Sequence, residues 1–569
     1  MRDVTPYFAA IYEAYMLRSS LIAAALLTTS HAAYAQQPPV AGQLQQIPPP
    51  TARPMPVPDV RIDRPEPTAD APAEGERIRV DALRISGATV FTEAELVAAS
   101  GVVPGRDLTL PELRNAAAAI TRFYNDHGYV LAQAYLPAQD VREGVVTLAV
   151  IEGRYGAIDL RNASGVSDTV ARRLMAGLDS SDLVTMAPLE RRLLLLSDVP
   201  GVLVHSTLSP GAQVGAADLT VDLTPARRLS GSLEADNAGN RYTGAYRFGG
   251  SVNYANATGY GDLLSLRLLA STEGLAYGRA AWQAPLGAAT VGVAYTHLDY
   301  DLGREFEALD AGGTADIVSV FASYPLVRSR NANLYALASF DAKFLTDEIG
   351  LVAQTSDKEI RAVTLGVRGD SRDSFGGGGW NTGSLSWTSG DLDIENPLER
   401  AADAVSARSQ GGFNRLQYAV SRLQSVAGPL SLYGSLRGQV SADNLDSSEK
   451  MELGGAYAVR AYPEGEAYGD EGYVATLEAR LDLDTWTGAL PGRFQLIGFV
   501  DAGEVDFAHD PWFTGPNHAE RSGGGVGVNW FGPNDLILRA AYARRFNDQI
   551  ATSGPDERGR AWFQIVKLF

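Results

Sequence analysis

The 569-residue chain contains no cysteine. No disulfide staples it and no thiolate holds a metal, so its stability must come from burial or from a closed, fully paired sheet. After residue 35 there is no run of 18 apolar residues, so no helix beyond that point is long enough to span a bilayer. No Gly-Lys pair occurs, which removes the phosphate-cradling loop of Walker type. No Gly-x-Ser-x-Gly elbow occurs either. The six histidines (His31, His127, His205, His297, His509 and His518) never take a helical metal-ligand spacing. His127 stands just before Gly128 and is expected to contact the last carbonyls of a helix. The glycine run Gly376 to Gly379 falls between two strand candidates, not between a strand and a helix, so it is not read as a nucleotide loop. No catalytic constellation, metal site or cofactor is expected. The net charge of −19 speaks against nucleic acid as a partner, because phosphate binding needs a basic surface.

The amino terminus carries an export pattern. Arg18 supplies a positive region, Leu21 to Leu27 a short apolar run, and Ala33-Tyr34-Ala35 a small-x-small cleavage site. Residues 1–35 are therefore predicted to be a signal peptide, with Met16 as the true start. The apolar run is too short for a membrane anchor. Residues 36–76 read as a Pro-rich linker. Pro38, Pro39, Pro48, Pro49, Pro50, Pro54, Pro56 and Pro58 make it stiff and unable to pack a core of its own.

Two small α/β units follow. In residues 77–153 a strand is expected over Ile78 to Ile85, helices over Glu93 to Ala99 and Leu110 to Asn125, and strands over Tyr129 to Tyr135 and Val145 to Ile151. The longer helix places Leu113, Ala117, Ile120 and Phe123/Tyr124 at three- and four-residue spacing, and Gly128 ends it. Residues 154–226 repeat the β-α-α-β-β order. Exposed sheet edges on such units can accept a strand from an extended partner.

From residue 227 to 569 strand-like segments recur and alternate. Tyr246, Phe248, Val252 and Tyr254 share one face, with Arg247, Ser251 and Asn253 on the other. Leu264, Leu266 and Leu268 oppose Ser265 and Arg267, and Ala475, Leu477 and Ala479 oppose Thr476, Glu478 and Arg480. Charged residues in mid-strand fit a watery interior with lipid outside. Backbone groups in lipid are satisfied without helices only when the sheet closes into a barrel. Candidate strands start near 230, 244, 262, 275, 289, 315, 333, 359, 380, 412, 431, 473, 494, 522, 536 and 560, an even set of sixteen. The last ends on the aromatic Phe569, a feature of bacterial outer-membrane barrels. Lys567 shares the parity of Ile565 and Phe569 and is expected to snorkel to the interface.

Several segments resemble the two-partner-secretion outer-membrane transporters, the hemolysin secretion/activation family of the POTRA-barrel superfamily. Tyr135-Leu-Pro-Ala-Gln-Asp140 and Gly144-Val-Val-Thr-Leu-Ala-Val-Ile-Glu-Gly153 are similar to the end of the family's first POTRA domain. Glu190-Arg-Arg-Leu-Leu-Leu-Leu-Ser-Asp-Val-Pro-Gly201 is similar to the helix and turn of the second. Asp236-Asn237, Gly239, Gly244, Asn253, Asn256, Gly259 and Gly261-Asp262 resemble the start of the barrel. The resemblance implies membrane all-β architecture, a 16-stranded transmembrane β-barrel preceded by two periplasmic α/β POTRA domains.

Leu453-Gly-Gly-Ala-Tyr-Ala-Val-Arg-Ala-Tyr462 resembles the family's Val-Arg-Gly-Tyr/Phe loop motif, with Ala461 where the motif has Gly. Phe499-Val-Asp-Ala-Gly503 resembles its Phe-x-Asp-x-Gly strand motif. The resemblance implies that the loop after the eleventh strand folds back into the lumen and that Arg460 meets Asp501, supported by Val459, Tyr462, Phe499 and Gly503. Independently, residues 446–472 form a long Gly- and Tyr-rich insert, and inserts of that length are usually functional or disordered. A guanidinium and a carboxylate pair bidentately, which fixes orientation as well as position. Tyr135, Pro137, Gln139, Leu194, Pro200 and Gly201 are the candidate cargo-binding positions. The family's lumen-plugging helix has only a short counterpart, Ala41 to Gln46, followed at once by Pro48, so the linker alone is expected there.

The resemblance also implies the partners: a secreted exoprotein with a β-helical amino-terminal domain, outer-membrane lipid, and the barrel-assembly machinery for insertion. Two alternative readings share part of this pattern. A barrel-assembly insertase of the same superfamily carries more POTRA repeats than the available residues allow. A general diffusion porin lacks periplasmic domains altogether.

Overall fold

In the computed structural model, residues 38–48, 59–62, 77–483 and 491–569 are described. The expected signal peptide lies outside them, as does most of the Pro-rich stretch. Two pieces of that stretch are ordered onto other parts of the chain. One helical turn, α1 (Ala41–Leu44), sits inside the barrel, and a four-residue strand, β1 (Asp59–Ile62), sits on a periplasmic sheet. The expectation of a bare linker is thus corrected. Proline prevents the segment from building its own core, but not from borrowing packing from its neighbours.

The first α/β unit contains β2 (Ile78–Val80), β3 (Ala82–Ser86), α2 (Glu93–Ser100), β4 (Arg106–Leu108), α3 (Leu110–Asp126), β5 (Gln133–Tyr135) and β6 (Val145–Ile151). Both helices open on capping boxes, Thr92 with Glu95 and Thr109 with Glu112. A cap of this kind contributes about 1 kcal/mol. α3 buries Leu113, Ala116, Ala117, Ile120 and Tyr124 against β3-β6-β5. His127 Nδ1 lies 2.7 Å from the Phe123 carbonyl, as its place before Gly128 predicts.

The single strand expected over Ile78 to Ile85 breaks at Asp81. The N–H groups of Asp81 and Ala82 donate to the Gly144 carbonyl, and the two halves pair with β4 and β6 respectively. The expected strand over Tyr129 to Tyr135 shortens to β5. At the domain's heart Glu152 accepts hydrogen bonds from Thr89 N (2.6 Å), Val90 N (2.8 Å) and Tyr124 Oη (2.9 Å), and from the Thr89 hydroxyl. Burial alone would raise this carboxyl, but the donors outweigh it and hold it below its ordinary value.

The second unit contains β7 (Arg154–Asn162), α4 (Asp168–Met175), α5 (Met186–Ser197), β8 (Val202–Pro210) and β9 (Ala216–Pro225), with sheet order β1-β8-β9-β7. Its core is Leu189, Leu193, Leu196, Val204, Leu219 and Val221. Burial and the nearby Asp182 push the Tyr155 phenol up to about 12.

Sixteen strands close into a barrel, with each strand hydrogen-bonded to the next and the last to the first. The first half comprises β10 (Leu229–Asp236), β11 (Arg247–Ala255), β12 (Leu263–Ser271), β13 (Leu275–Leu286), β14 (Ala289–Asp301), β15 (Ala311–Arg328), β16 (Ala332–Ile349) and β17 (Gln354–Asp373). It continues through β18 (Gly379–Ile394), helix α6 (Pro397–Ala404) in a connecting loop, β19 (Gly411–Ala427) and β20 (Leu430–Ser441). A small hairpin, β21 (Met451–Glu452) and β22 (Tyr468–Gly469), interrupts the order. The rest of the wall is β23 (Glu471–Asp482), β24 (Arg493–Asp506), β25 (His518–Phe531), β26 (Leu536–Arg545) and β27 (Gly559–Leu568).

The alternation read from sequence holds. Tyr246, Phe248, Val252, Tyr254, Leu264, Leu266 and Leu268 face outward and exposed, whereas Arg267 meets Glu234 inside at 2.8 Å and Arg247 meets Asp236 at 2.9 Å. The strands depart from the expected uniform length of ~10 residues, which suffices to cross the membrane when tilted. They run from 8 residues in β10 to 20 in β17, because pairing continues beyond the apolar band wherever neighbours offer partners. Lys567 reaches the Asn534 carbonyl in the turn before β26 and so leaves the lipid face, as expected. β10 and β27 close the barrel over five residue pairs, extended by Gly231 and Phe569 exchanging backbone hydrogen bonds.

The second α/β unit is pinned to two turns at one end of the barrel, between β11 and β12 and between β15 and β16. At the first, Asn256 Nδ2 donates to the Gly165 carbonyl and Ser167 N donates to the Gly259 carbonyl. At the second, Arg328 forks onto Asp198 at 2.7 and 2.8 Å, Arg191 donates to the Pro325 and Leu326 carbonyls, and Arg330 meets Glu190 at 2.9 Å.

Candidate functional site in the barrel lumen

The loop between β20 and β23 folds into the lumen on the stem formed by β21 and β22. Its tip delivers Arg460 to the wall. Arg460 Nε donates to Asp501 Oδ2 at 2.8 Å, Nη2 to Oδ1 at 2.7 Å, and the backbone N–H to Oδ2 at 3.2 Å. The remaining arm, Nη1, donates to Glu478 Oε1 at 2.8 Å, and the other oxygen of Glu478 takes both a 2.8 Å and a 2.7 Å bond from Arg480. Thr476 Oγ1 donates to Asp501 Oδ1 at 2.9 Å. Two guanidinium groups thus face two carboxylates, and the buried cluster is neutral.

Asp501 is 0% exposed and Phe499 lies under the guanidinium, 3.5 Å from Arg460 Cζ to the ring centroid. Such a contact adds ~2 kcal/mol when desolvated. Removing one partner from a buried pair of this kind costs about 3–5 kcal/mol, because the other charge is stranded.

The motif residues fall around this cluster. Val459 and Tyr462 are fully buried, and Tyr462 Oη donates to Asn547 Oδ1 at 2.8 Å. A Cβ at Gly503 would lie 2.7 Å from Leu453 Cδ1, so glycine there admits the loop's stem. Ala461 tolerates its place because the positive φ values of the loop sit at Gly455 and Gly465. Further residues complete the site beyond those expected. Glu478, Thr476 and Arg480 were visible as lumen-facing by parity, but parity does not say which of them the loop reaches. Trp562 donates from Nε1 to the Arg460 carbonyl at 2.7 Å, tying the tip to β27. Arg521 holds Glu466 at 2.8 Å, and Glu466 in turn accepts from the backbone N–H groups of Thr552 and Ser553. On the periplasmic side of the tip a cavity of about 590 Å³ is lined by Arg460, Arg480, Arg493, Arg539, Glu478 and Asp482.

Residues 39–48 occupy the lumen beside the loop. Ala41 N donates to Asp347 Oδ1 at 2.8 Å, Gln46 Nε2 donates to the Lys450 carbonyl at 3.0 Å, and the Pro48 carbonyl accepts from Arg267. Ala41 is buried with Leu298, Tyr300, Ala315, Leu345 and Ile360. This part of the interior is apolar and filled, so the watery interior read from the mid-strand charges does not extend to it. α1 lies against the loop itself, since a Cβ on Gly42 would come within 2.7 Å of Ser448 Cβ.

The candidate cargo positions divide. Tyr135 lies exposed on the edge strand β5, and Pro137 is half-buried nearby. Gln139 exchanges hydrogen bonds with Thr147 N and O at 2.8 and 2.7 Å, so its amide extends the ladder along β6. Leu194 is 2% exposed, Pro200 is half-buried, and Gly201 faces Asn256 and Ala255 of the barrel. Leu194 and Gly201 are therefore taken up by packing, and neither is presented to a periplasmic ligand.

A closed sixteen-stranded barrel, apolar outside, with two small α/β units below and a loop clamped in its lumen, is the architecture of an outer-membrane barrel with POTRA-type domains. The chain belongs to the haemolysin secretion/activation protein family ShlB/FhaC/HecB, whose profile matches residues 215–529, more than half of its length. A ShlB-type POTRA domain matches residues 78–153. The heme/hemopexin transporter protein HuxB of Haemophilus influenzae strain 86-028NP is 31% identical over 484 residues, 82% of each chain. The outer membrane transporter CdiB of Dickeya dadantii strain 3937 is 24% identical over 454 residues, 77% of this chain and 78% of that one. Among solved structures, CdiB from Escherichia coli superposes with a TM-score of 0.67 at 20% identity, covering 88% of this chain and 92% of that chain. BamA from Haemophilus ducreyi lacking POTRA domains 1–3 reaches 0.53 at 14% identity over 86% of this chain and 100% of that one, a likeness of fold alone.

The protein is a two-partner-secretion transporter of the outer membrane, with its amino-terminal domains in the periplasm, and it exports a protein partner. The insertase and porin alternatives fall with this membership.

Proposed function

We propose that the POTRA domains capture an unfolded exoprotein in the periplasm by strand addition at a sheet edge, and that the loop carrying Arg460 occludes the lumen until cargo arrives. The carrying observation is the fork of Arg460 onto Asp501, with the third arm on Glu478. An arrangement so specific in direction holds the loop in one place, yet each of these hydrogen bonds between the tip and the wall uses a side chain on at least one side. The loop can therefore leave without breaking the ladder that holds the barrel closed. The partner is an exoprotein with a β-helical amino-terminal domain that passes as an extended hairpin. Its folding outside the cell biases the direction, since a folded product does not return. The barrel itself reaches the membrane through the barrel-assembly machinery.

Arg460→Ala tests this reading. The variant should retain a heat-modifiable barrel while the exoprotein that depends on this gene falls sharply in the medium. Normal export from a variant lacking the fork would overturn the clamp.

A further inference from the structure

The cavity of about 590 Å³ beneath the loop tip has a charge opposite to that of the chain as a whole. The net charge is −19, yet four arginines and only two carboxylates line this space. Arg460 is answered by Asp501, and Arg480 by Glu478. Arg493 and Arg539 have no carboxylate partner among the described residues. Arg539 Nη1 donates to the neutral amide of Gln564 at 2.6 Å, and Arg493 lies over the Phe531 ring, 4.6 Å from Cζ to the centroid. A guanidinium stacked on a ring keeps its donor edge free for a second partner. The remaining carboxylate, Asp482, accepts from Gln495 at 3.0 Å. Low-dielectric walls focus the field of such groups into the space between them.

The cavity reaches from the loop tip to the turn between β19 and β20, where Gly428 and Pro429 line it. Strands alternate in direction, so this turn lies at the same barrel end as the turn between β15 and β16, where the second POTRA unit docks. A volume of this size holds a side chain together with the backbone that carries it. Only one arm of Arg460 borders the space. Asp501 is 0% exposed and does not line it, whereas Glu478, which accepts from Nη1 at 2.8 Å, does. A group in the cavity can therefore reach the Nη1 arm without first displacing the Asp501 fork. Glu478 would not be stranded by such a competitor, because its other oxygen keeps two bonds from Arg480.

We propose that this cavity is a receptor for a carboxylate carried on an extended segment of the exported protein. Arg493 and Arg539 draw the carboxylate in, and it competes with Glu478 for the Nη1 arm of Arg460. The loop is then held at its tip with one charged contact fewer, and it leaves the wall more readily. The inference rests on the reading of the loop as an occluding clamp, and it adds the chemistry of the group that loosens it.

The test uses the full-length protein in planar bilayers. A capped tetraglutamate peptide, its glutamine counterpart, and acetate at the same carboxylate concentration are each added on the POTRA side. The glutamate peptide should raise the open fraction about tenfold or more, the change that follows the loss of one hydrogen bond between charged groups. The glutamine peptide and acetate should leave it unchanged. Acetate acting as strongly as the peptide would overturn a partner-borne carboxylate in favour of a free anion. Equal effects of the two peptides would overturn the role of charge. Arg539→Gln should abolish the rise, and Arg539→Lys should restore part of it, because an ammonium keeps the charge without the fork. A channel that Arg460→Ala opens but that ignores the glutamate peptide in the parent protein would overturn this inference and leave the clamp standing. A channel that Arg460→Ala fails to open would defeat the clamp reading itself.

Discussion

A Cβ on Gly523 would lie 2.3 Å from the Cβ of Ala461. The loop tip and the wall strand β25 are therefore matched in size, a small side chain against none. Gly523→Ala should push the tip off the wall while leaving the barrel closed. Ala461→Gly in the same chain should recover only part of the effect, because the added methyl also meets the Arg544 carbonyl at 2.8 Å. Bilayer conductance should rise in the single variant and fall back part-way in the double. A silent Gly523→Ala would mean that the tip has slack that its contacts do not suggest.

The fork of Arg328 onto Asp198 fixes the second POTRA domain beneath the turn between β15 and β16. Arg328→Ala should weaken that docking by about 1.5–3 kcal/mol, the usual range for hydrogen bonds to charged groups. Arg328→Lys should fall between, since an ammonium keeps the charge and loses the fork. Trypsin cleavage after the exposed Arg227, at the junction of the domain and the barrel, is the readout, and it should quicken in the order wild type, Lys, Ala.

Glu152 gives the first POTRA domain a defined response to acid. Its carboxyl is held low in the fold by the donors from Thr89, Val90 and Tyr124. A folded value below the unfolded one, about 4.3, means that the stabilisation is complete above that pH. It is lost as the pH falls through the folded value. Glu152→Gln should cost about 1–3 kcal/mol near neutrality and nothing in strong acid. Hydrogen exchange over residues 78–153, corrected for intrinsic rates, should show the two proteins converging as the pH drops below the unfolded value. A constant difference would assign the effect to shape and not to charge.

Much of this architecture was legible in the residues, for a physical reason. In a barrel the two faces of each strand meet opposite solvents, so alternation alone fixes both the existence and the facing of strands such as β11, β12 and β23. All sixteen strand starts fell within a few residues of those observed. The Arg460–Asp501 contact was inferred from resemblance and from the parity of Asp501. The partners Glu478 and Trp562 were not inferred, because nothing local says how deep a loop tip reaches. Leu194 and Gly201 resembled family positions, but a resemblance does not distinguish a residue that binds cargo from one that seats a domain on its barrel. α1 and β1 were invisible for a different reason. Proline content reports that a segment lacks a core of its own, and both pieces are held by surfaces more than a hundred residues away in the chain.

The seam between β10 and β27 has a temporal meaning. Leu233 faces Lys567 across it, 334 positions later in the chain. Synthesis proceeds from the amino end, so the wall's opening strand waits, with one side unsatisfied, through almost all of the translation that follows. Long-range pairing of this kind is slow to form and exposed to aggregation meanwhile. Until the two outermost edges meet, the unfinished wall presents unpaired backbone groups to any other extended chain.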